Sequence, residues 1–284
     1  MHRYAPAYWI LFASLMFATM SALVKLTAAG VSLPEIVFFR MMPAAIVLFI
    51  LGRARGVSMA TRQWKLHGAR SLFGFCGMLA GFYAVSKLPL ATSTTLEYTT
   101  PLFMLAYIVL FARVHLTPQM CFAMVGGFAG VVVLLRPTLD TGQGLPFFAA
   151  LTSGAMGAIV YAVIRRLGDA GEPATRIVFW YSMSSAIAAA AMIPFAATSH
   201  YDLSTWIALG ALGTVSLIGQ LAMTRAFSTG PATFLASLQY ITVAFAAVYG
   251  VVIWGDTLTM ASVIGLSLII LSGIVALRNA ATRP

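Results

Sequence analysis

The chain has 284 residues, of which 61% are hydrophobic and only 8% are charged, and its formal net charge is +10. Soluble domains carry roughly 25% charged residues, so this composition excludes an ordinary soluble domain and indicates a membrane protein in contact with the lipid bilayer. The basic residues are scattered among short loops rather than gathered in a patch, so we expect no nucleic-acid partner.

Apolar segments of about 20 residues, the length that crosses a bilayer, follow one another along the whole chain. Loop residues divide them into ten predicted membrane helices: 7–28, 34–52, 68–87, 90–111, 119–136, 145–166, 175–196, 204–226, 231–253 and 258–278. No polar stretch between them reaches the size of a soluble domain. The sequence therefore predicts an all-α, multi-pass protein of the cell (inner) membrane.

The Lys and Arg residues are unevenly distributed between the two sets of loops. If the N-terminus is cytoplasmic, most of the seventeen fall on the inside, the exceptions being Lys25, Arg40, Lys87 and Arg136. Positive charge accumulates in cytoplasmic loops, so this distribution predicts that both the N-terminus and the C-terminus lie inside.

The chain consists of two related halves, as three pairs of segments show: 83–103 with 225–245, 12–25 with 148–161, and 36–40 with 177–181. Because five helices is an odd number, the second copy must enter the membrane in the opposite orientation. The basic loop 53–65 accordingly corresponds to 197–203, which has no Lys or Arg. The sequence thus predicts ten transmembrane helices in two inverted five-helix repeats, 1–138 and 139–284.

Several runs carry a family resemblance: VKL (24–26), PEIVFFR (34–40), KLPLATSTTLEYTTPLF (87–103), GPATFLASLQY (230–240) and WGDTLTMASVIGLSLIILSGIVAL (254–277). With them, nearly the whole chain resembles the drug/metabolite transporter superfamily, specifically its EamA-type ten-helix carriers. The resemblance implies transport by alternating access through a central cavity lined by membrane helices one, three, four, six, eight and nine. It leaves the substrate open, because the family includes exporters of amino acids and importers of nucleotide-like metabolites.

Glu97 lies in the middle of the apolar segment 90–111. A carboxylate at that depth costs several kcal/mol unless it is paired or lines a wet cavity, so it favours a functional site. Pro101 removes the hydrogen bond that the Glu97 carbonyl would accept and predicts a kink at this level. The second half has Gln239 and Val243 at the matching positions, which predicts a polar group there without the charge or the kink.

Two further charges, Lys25 and Arg40, lie within predicted helices of the first half. At a rise of about 1.5 Å per residue, all three charges fall in the outer half of the bilayer and can meet. We predict that they line the cavity and hold an ionic or zwitterionic part of the substrate, with Arg40 as the partner of Glu97. Three alternatives remain open. Lys25 extends its amine to the membrane surface without a role in binding, or Arg40 and Glu97 form a purely structural pair. In the third alternative, Glu97 carries a coupling proton.

Uncharged residues complete the predicted substrate site. The second-half counterparts of the three charges can all form hydrogen bonds, namely Tyr161, Tyr181 and Gln239. Nearby aromatic side chains, which we expect to hold an apolar or planar part of the substrate, are Tyr98, Trp180 and Tyr240. For Tyr98 and Tyr240, which occupy matching places in the repeat, packing alone is the alternative.

The glycine pairs Gly77–Gly81 and Gly126–Gly130 predict close helix packing, within a monomer or at the face of a homodimer. The histidines lie near membrane edges in different loops and no metal-binding spacing occurs, so we expect no enzyme, metal site or cofactor.

Together these features predict a secondary-active transporter of a small organic metabolite, amino-acid-like or otherwise amphipathic, that works by alternating access and in the direction of export. The alternatives are an importer of a nucleotide-like or flavin-like metabolite, or a channel.

Overall fold

The computed structural model describes residues 5–27, 30–88, 90–107, 109–110, 117–137, 143–196, 201–255, 257 and 259–282, and every regular element in these ranges is a helix. The first half contains α1 (Ala5–Thr27), α2 (Leu33–Ala54), α3 (Trp64–Lys87), α4 (Leu90–Glu97), α5 (Thr100–Tyr107), α6 (Pro118–Cys121) and α7 (Gly127–Leu135). The second half contains α8 (Gly144–Asp169), α9 (Ala174–Met192), α10 (Leu203–Thr229), α11 (Ala232–Leu238), α12 (Ile241–Trp254) and α13 (Met260–Thr282). A π-helical segment, Phe122–Gly126, joins α6 to α7, and a 3₁₀ turn, Ile193–Phe195, closes α9.

Within the described ranges, nine helical segments are long and apolar enough to cross a membrane, and they match nine of the ten predicted spans. The remaining predicted span, 90–111, corresponds to the short helices α4 and α5, and its residues 108 and 111 lie outside the described part. Large apolar side chains such as Ile50 (59% exposed) and Val252 (75% exposed) point away from the core. Such surfaces suit contact with lipid, so the structure is that of an all-α membrane protein.

Helices α2 and α10 begin where side chains satisfy their first N–H groups. Ser32 and Glu35 form a capping box ahead of α2, in which each side chain satisfies a backbone donor of the other residue. Asp202 caps α10 and accepts a 2.8 Å hydrogen bond from the Thr205 N–H. Hydrogen bonds from the Thr205 hydroxyl and N–H lower the pKa of Asp202 to about 2, so the cap stays charged at physiological pH.

The fourth membrane helix of the first half is broken beside Glu97. Helix α4 ends at Glu97 and α5 begins at Thr100, which confirms the kink predicted from Pro101. The Glu97 carbonyl, which Pro101 leaves without its usual donor, accepts a 2.9 Å hydrogen bond from the Thr100 hydroxyl. The break is therefore a satisfied structural feature rather than a frayed helix end.

The second half has a break at the matching level, between the end of α11 at Leu238 and the start of α12 at Ile241. The prediction that this copy lacks the kink is therefore wrong. Here the Thr242 N–H bonds the Gln239 carbonyl at 2.9 Å and the Val243 N–H bonds the Tyr240 carbonyl at 3.0 Å. These bonds to residue i−3 tighten the backbone into a 3₁₀ turn, which breaks an α-helix without a proline.

The two halves contact each other most extensively through four pairs of helices, each with one helix from either half. Helix α1 packs against α10 and α3 against α8, while α2 packs against α9 and α7 against α13. The helices α1 and α10 run antiparallel, since Pro6 of α1 lies beside Gly230 whereas Met16 lies beside Gly219. Small residues allow these helices to approach closely.

The glycines identified in the sequence have different neighbours. Gly77 faces Met156 of α8, and Gly81 faces Glu97 and Ser153. Gly130 faces α13 within the same chain, whereas the three atoms nearest to a Cβ placed at Gly126 all belong to Phe122 of its own segment. The close packing predicted at Gly77, Gly81 and Gly130 is therefore found within one chain.

Candidate functional site

A cavity of about 330 Å³ lies between the two halves, at the level of both helix breaks. Small-molecule sites typically occupy about 300–1,000 Å³, so the cavity suits a small ligand. The family resemblance implied a lining from the first, third, fourth, sixth, eighth and ninth membrane helices. The structure adds the second and the seventh, since α2 contributes Arg40 and α9 contributes Tyr181.

Six of the nine residues predicted to bind substrate line this cavity: Arg40, Glu97, Tyr98, Tyr161, Tyr181 and Gln239. They come from both halves of the chain and include both break residues that the repeat pairs, Glu97 and Gln239. The structure therefore brings together most of the residues on which the predicted site depends.

The other three predicted residues lie outside the lining. Lys25 is exposed, with its Nζ 3.9 Å from the centroid of the Trp254 ring. The Trp180 Nε1 donates a 2.9 Å hydrogen bond to the Met59 carbonyl. Tyr240 is fully buried in an apolar cluster. The structure thus does not bring Lys25, Trp180 or Tyr240 to the cavity.

Glu97 faces a wall formed by α3 and α8. A Cβ atom placed at Gly81 would lie 2.5 Å from Glu97 Oε1 and 3.0 Å from Ser153 Oγ. The missing side chain of Gly81 thus makes room for the carboxylate. No ion pair within 4 Å joins Glu97 to a basic residue in the described part of the chain.

The expected pairing of Arg40 with Glu97 is therefore not found. Arg40 is held by the other half of the protein, because its Nε donates a 2.9 Å hydrogen bond to the Ser216 hydroxyl on α10. The sequence alone gives no sign of this partner, since Ser216 is one of many small residues in a distant helix.

Arg70 is a cavity residue that the sequence did not identify. The predicted helix 68–87 places Arg70 at its inner end, among the basic residues of the inside, but α3 begins at Trp64 and Arg70 lies in its second turn. Its guanidinium carbon lies 3.8 Å from the centroid of the Tyr181 ring. The sequence contains one feature that indicates this position: Gly74 and Gly77 follow Arg70 on the same helix face and leave room for its large side chain.

The Arg70 side chain is only 3% exposed. Two of its three nitrogens, Nε and Nη1, have no hydrogen-bond partner among the described residues. Buried donors without acceptors are rare in proteins. Arg70 is therefore equipped to bind an acceptor that enters the cavity.

Polar aromatic residues fix the shape of the cavity beside the second break. The Gln239 Nε2 donates a 2.7 Å hydrogen bond to the Tyr161 hydroxyl, and the Tyr161 ring stacks on Phe227 with ring centroids 4.1 Å apart. Tyr98 beside the first break and Thr242 beside the second also line this space. Both breaks therefore face the same cavity.

A second polar cluster, formed by Thr61, His67, Glu172 and Arg176, joins the two halves away from the cavity. The Glu172 carboxylate lies 2.8 Å from Arg176 Nη1 and 3.4 Å from His67 Nε2, and it accepts a hydrogen bond from the Thr61 hydroxyl. Burial raises the pKa of Glu172, but the hydrogen bonds from Thr61 and Arg176 and the charge of Arg176 outweigh burial and hold its pKa below the usual value.

Replacing Glu172 by glutamine should destabilise the protein at neutral pH by about 1.5–3 kcal/mol, because charge-assisted hydrogen bonds are lost. A lowered pKa means that this stabilisation is present above the ordinary Glu pKa of about 4.3 and disappears as the pH falls below it. The melting temperatures of E172Q and the unchanged protein should therefore differ at pH 7 and converge in acid. Asp169→Asn, which removes the exposed Arg165–Asp169 pair, is the control and should have little effect. Equal melting temperatures for E172Q and the unchanged protein at pH 7 would contradict the prediction.

Comparison with known proteins decides the family. The sequence profile of the EamA-like transporter family matches residues 5–136 and again residues 145–278. This chain belongs to the EamA-like transporter family. The match confirms the predicted family and the predicted multi-pass location in the cell membrane, and it shows a two-repeat architecture.

The EamA-like chain has relatives that are named for transport in opposite directions. A pseudopaline exporter of Pseudomonas aeruginosa is 29% identical over 88% of each chain. An S-adenosylmethionine uptake transporter of Rickettsia bellii is 27% identical over 78% of this chain and 76% of its own length. A solved crystal structure shares the fold of this EamA-like transporter, with a TM-score of 0.85 over 97% of each chain at 22% identity. The chain is therefore a transporter of small metabolites.

Proposed function

We propose that this EamA-like transporter is a secondary-active carrier that exports a small, amphipathic, amino-acid-like metabolite by alternating access. The observation that carries the proposal is the polar cavity between the halves at the level of both helix breaks. Broken membrane helices are tolerated where they line a cavity, and in transporters they commonly surround the substrate.

The packing of the halves supports alternating access. We propose ten membrane helices arranged as two inverted repeats, with both termini inside. In support, the first helix of each half packs against the third helix of the other, and α2 and α7 each pack against their own counterparts. Such an exchange is expected of halves related by a pseudo-two-fold axis, which can rock about a shared site.

The substrate in this proposal lies among the six predicted residues that line the cavity. Glu97 and Arg40 hold its ionic groups, while Tyr98, Tyr161, Tyr181 and Gln239 hold the rest. Lys25, Trp180 and Tyr240 have no part in binding, because they lie outside the lining. A monomer suffices, since one chain supplies the whole cavity.

Counterflow in proteoliposomes tests this proposal. The purified protein is reconstituted, the vesicles are loaded with one unlabelled compound, and uptake of the same labelled compound is measured for a panel of L-amino acids and S-adenosylmethionine. A carrier gives saturable uptake that internal substrate accelerates. Flux that rises linearly with concentration, or no transport of any compound, would contradict the proposal.

Import is the second candidate, which the S-adenosylmethionine uptake relative favours. Vesicles of known orientation separate the two directions, because an exporter concentrates substrate in inside-out vesicles and an importer in right-side-out vesicles. An imposed pH gradient in the same assay shows whether protons drive transport.

A further inference from the structure

We infer that the substrate carries two acidic groups and one amine, with an acidic group bound between Arg40 and Arg70 and the amine bound at Glu97. This inference rests on the proposed function and names the substrate class of the same cavity. A dicarboxylic amino acid is the simplest compound of this class.

The acidic group has a site beside Tyr181. Arg70 stacks on the face of the Tyr181 ring, and stacking leaves the in-plane N–H groups of a guanidinium free to bind an acceptor. Its unpartnered Nε and Nη1 are such groups within the part of the chain that the structure describes. Carboxylates match the fork of an arginine in geometry and in charge.

Arg40 adds a second guanidinium to this site. Ser216 accepts the hydrogen bond from its Nε, and no described residue accepts one from its terminal nitrogens. Arg40 and Arg70 line the same cavity together with Tyr181, on whose ring Arg70 stacks, and two like charges in one cavity repel each other. An anion placed between them relieves this repulsion and accepts hydrogen bonds from both.

Glu97 forms a separate, acidic part of the cavity. It has no ion-pair partner in the described ranges, and Ser153 Oγ lies beside it near Gly81. An ammonium group has three N–H donors, and the Glu97 carboxylate and the Ser153 hydroxyl can accept hydrogen bonds from them. The cavity thus separates a site for negative charge from a site for positive charge.

The balance of charge in the cavity decides the number of acidic groups. Two guanidinium groups face one carboxylate in the lining, and an uncompensated charge inside a membrane protein is strongly unfavourable. A ligand with one net negative charge balances this excess, whereas a neutral zwitterion leaves one positive charge over and a cationic ligand adds to it. The volume of about 330 Å³ lies at the small end of the range of about 300–1,000 Å³ for small-molecule sites, which suits a compound of similar size to glutamate.

Four commercial probes of similar size separate these charge patterns. Binding to the purified full-length protein is measured by calorimetry with L-glutamate, L-glutamine, glutarate and L-lysine. We expect L-glutamate to bind about tenfold or more tightly than L-glutamine, which lacks the second acid, and than glutarate, which lacks the amine. L-Lysine should bind least. Tighter binding of L-lysine or L-glutamine, or no binding of L-glutamate, would overturn the inference.

Variants assign each preference to a residue. Arg70→Gln should abolish the preference for L-glutamate over L-glutamine, and Glu97→Gln should abolish the preference for L-glutamate over glutarate. Arg225→Gln is the matched control, because Arg225 lies over the Trp9 ring outside the lining, and it should keep both preferences. Arg70→Lys keeps the charge but loses the fork, so it should keep part of the first preference even if Arg70→Gln fails to fold. An undiminished preference for L-glutamate over L-glutamine in R70Q, or in R70K where R70Q does not fold, would overturn the assignment.

Counterflow distinguishes a wrong substrate class from the absence of carrier activity. Saturable counterflow of only neutral or cationic compounds would overturn the substrate class while leaving the carrier intact. Absence of saturable counterflow for every compound would overturn the carrier itself.

Discussion

Glu97→Gln should lower the rate of transport about tenfold to a hundredfold while leaving the fold intact. Glutamine keeps the size of the side chain and can still pack against Gly81 and Ser153, but it cannot balance a cationic group of the substrate. A charge-assisted hydrogen bond contributes about 1.5–3 kcal/mol, which corresponds to this range of rates. Initial rates of counterflow in proteoliposomes, normalised to the amount of folded protein, measure the effect.

Glu35→Gln is the control for this variant. Glu35 belongs to the capping box of α2, outside the cavity, and glutamine also serves in a capping box. The control should therefore transport at the unchanged rate. An E97Q protein as active as this control would show that the Glu97 carboxylate does not act in transport.

Gly130→Leu should cause a large loss of stability, because it forces a side chain between two helix backbones. Helices α7 and α13 touch directly, since a Cβ at Gly130 would lie 2.8 Å from the Gly265 carbonyl oxygen. In the reverse direction, a Cβ at Gly265 would lie 2.7 Å from the Gly130 carbonyl oxygen. Neither backbone can move aside without separating the two helices. Overpacking of this kind costs about 1–3 kcal/mol or more, which thermal melting of the purified protein should detect.

Gly210→Leu is the matched control for this prediction. Gly210 lies within α10, and nothing lies within 4 Å of a Cβ placed there. Leucine also has the higher helix propensity, so the control should melt at the same temperature or slightly higher. If G130L melted at the same temperature as G210L, the close contact of α7 with α13 would not contribute to stability.

The sequence revealed the site where its signals are local. Glu97 is recognisable as a charge within an apolar segment, and Pro101 predicts the break beside it. Gln239 and Tyr181 followed from the internal repeat. These residues could be placed because depth along a helix and position in a repeat can both be read from a single chain.

The remaining features of the site depend on tertiary structure. Arg70 lies near the inner end of the predicted helix 68–87, where it resembles a charge at the membrane edge until the start of α3 is known. The break at Gln239 arises from 3₁₀ hydrogen bonds, and the sequence has no proline there that would predict it. Arg40 forms a hydrogen bond with Ser216 of the opposite half, and the Lys25 amine lies over the Trp254 ring. Depth alone placed Lys25, Arg40 and Glu97 at a similar level, but helix rotation decides which side chains meet.

The two breaks explain why the cavity lies where it does. Each break interrupts a membrane helix at the level of a polar side chain, Glu97 in one half and Gln239 in the other. Tyr98 beside the first break and Thr242 beside the second line the same cavity.

Thiol accessibility at Ser153 tests alternating access through this cavity most directly. Ser153 lines the cavity near Glu97, and the two free cysteines, Cys76 and Cys121, can be replaced by alanine to leave a single thiol. The thiol introduced by Ser153→Cys is then treated with a membrane-impermeant reagent in right-side-out and in inside-out vesicles. We expect reaction from both sides of the membrane, slowed by a transported substrate, with no passage of the reagent itself. Reaction from neither side, or free passage of the reagent through the protein, would contradict a carrier that works at this cavity.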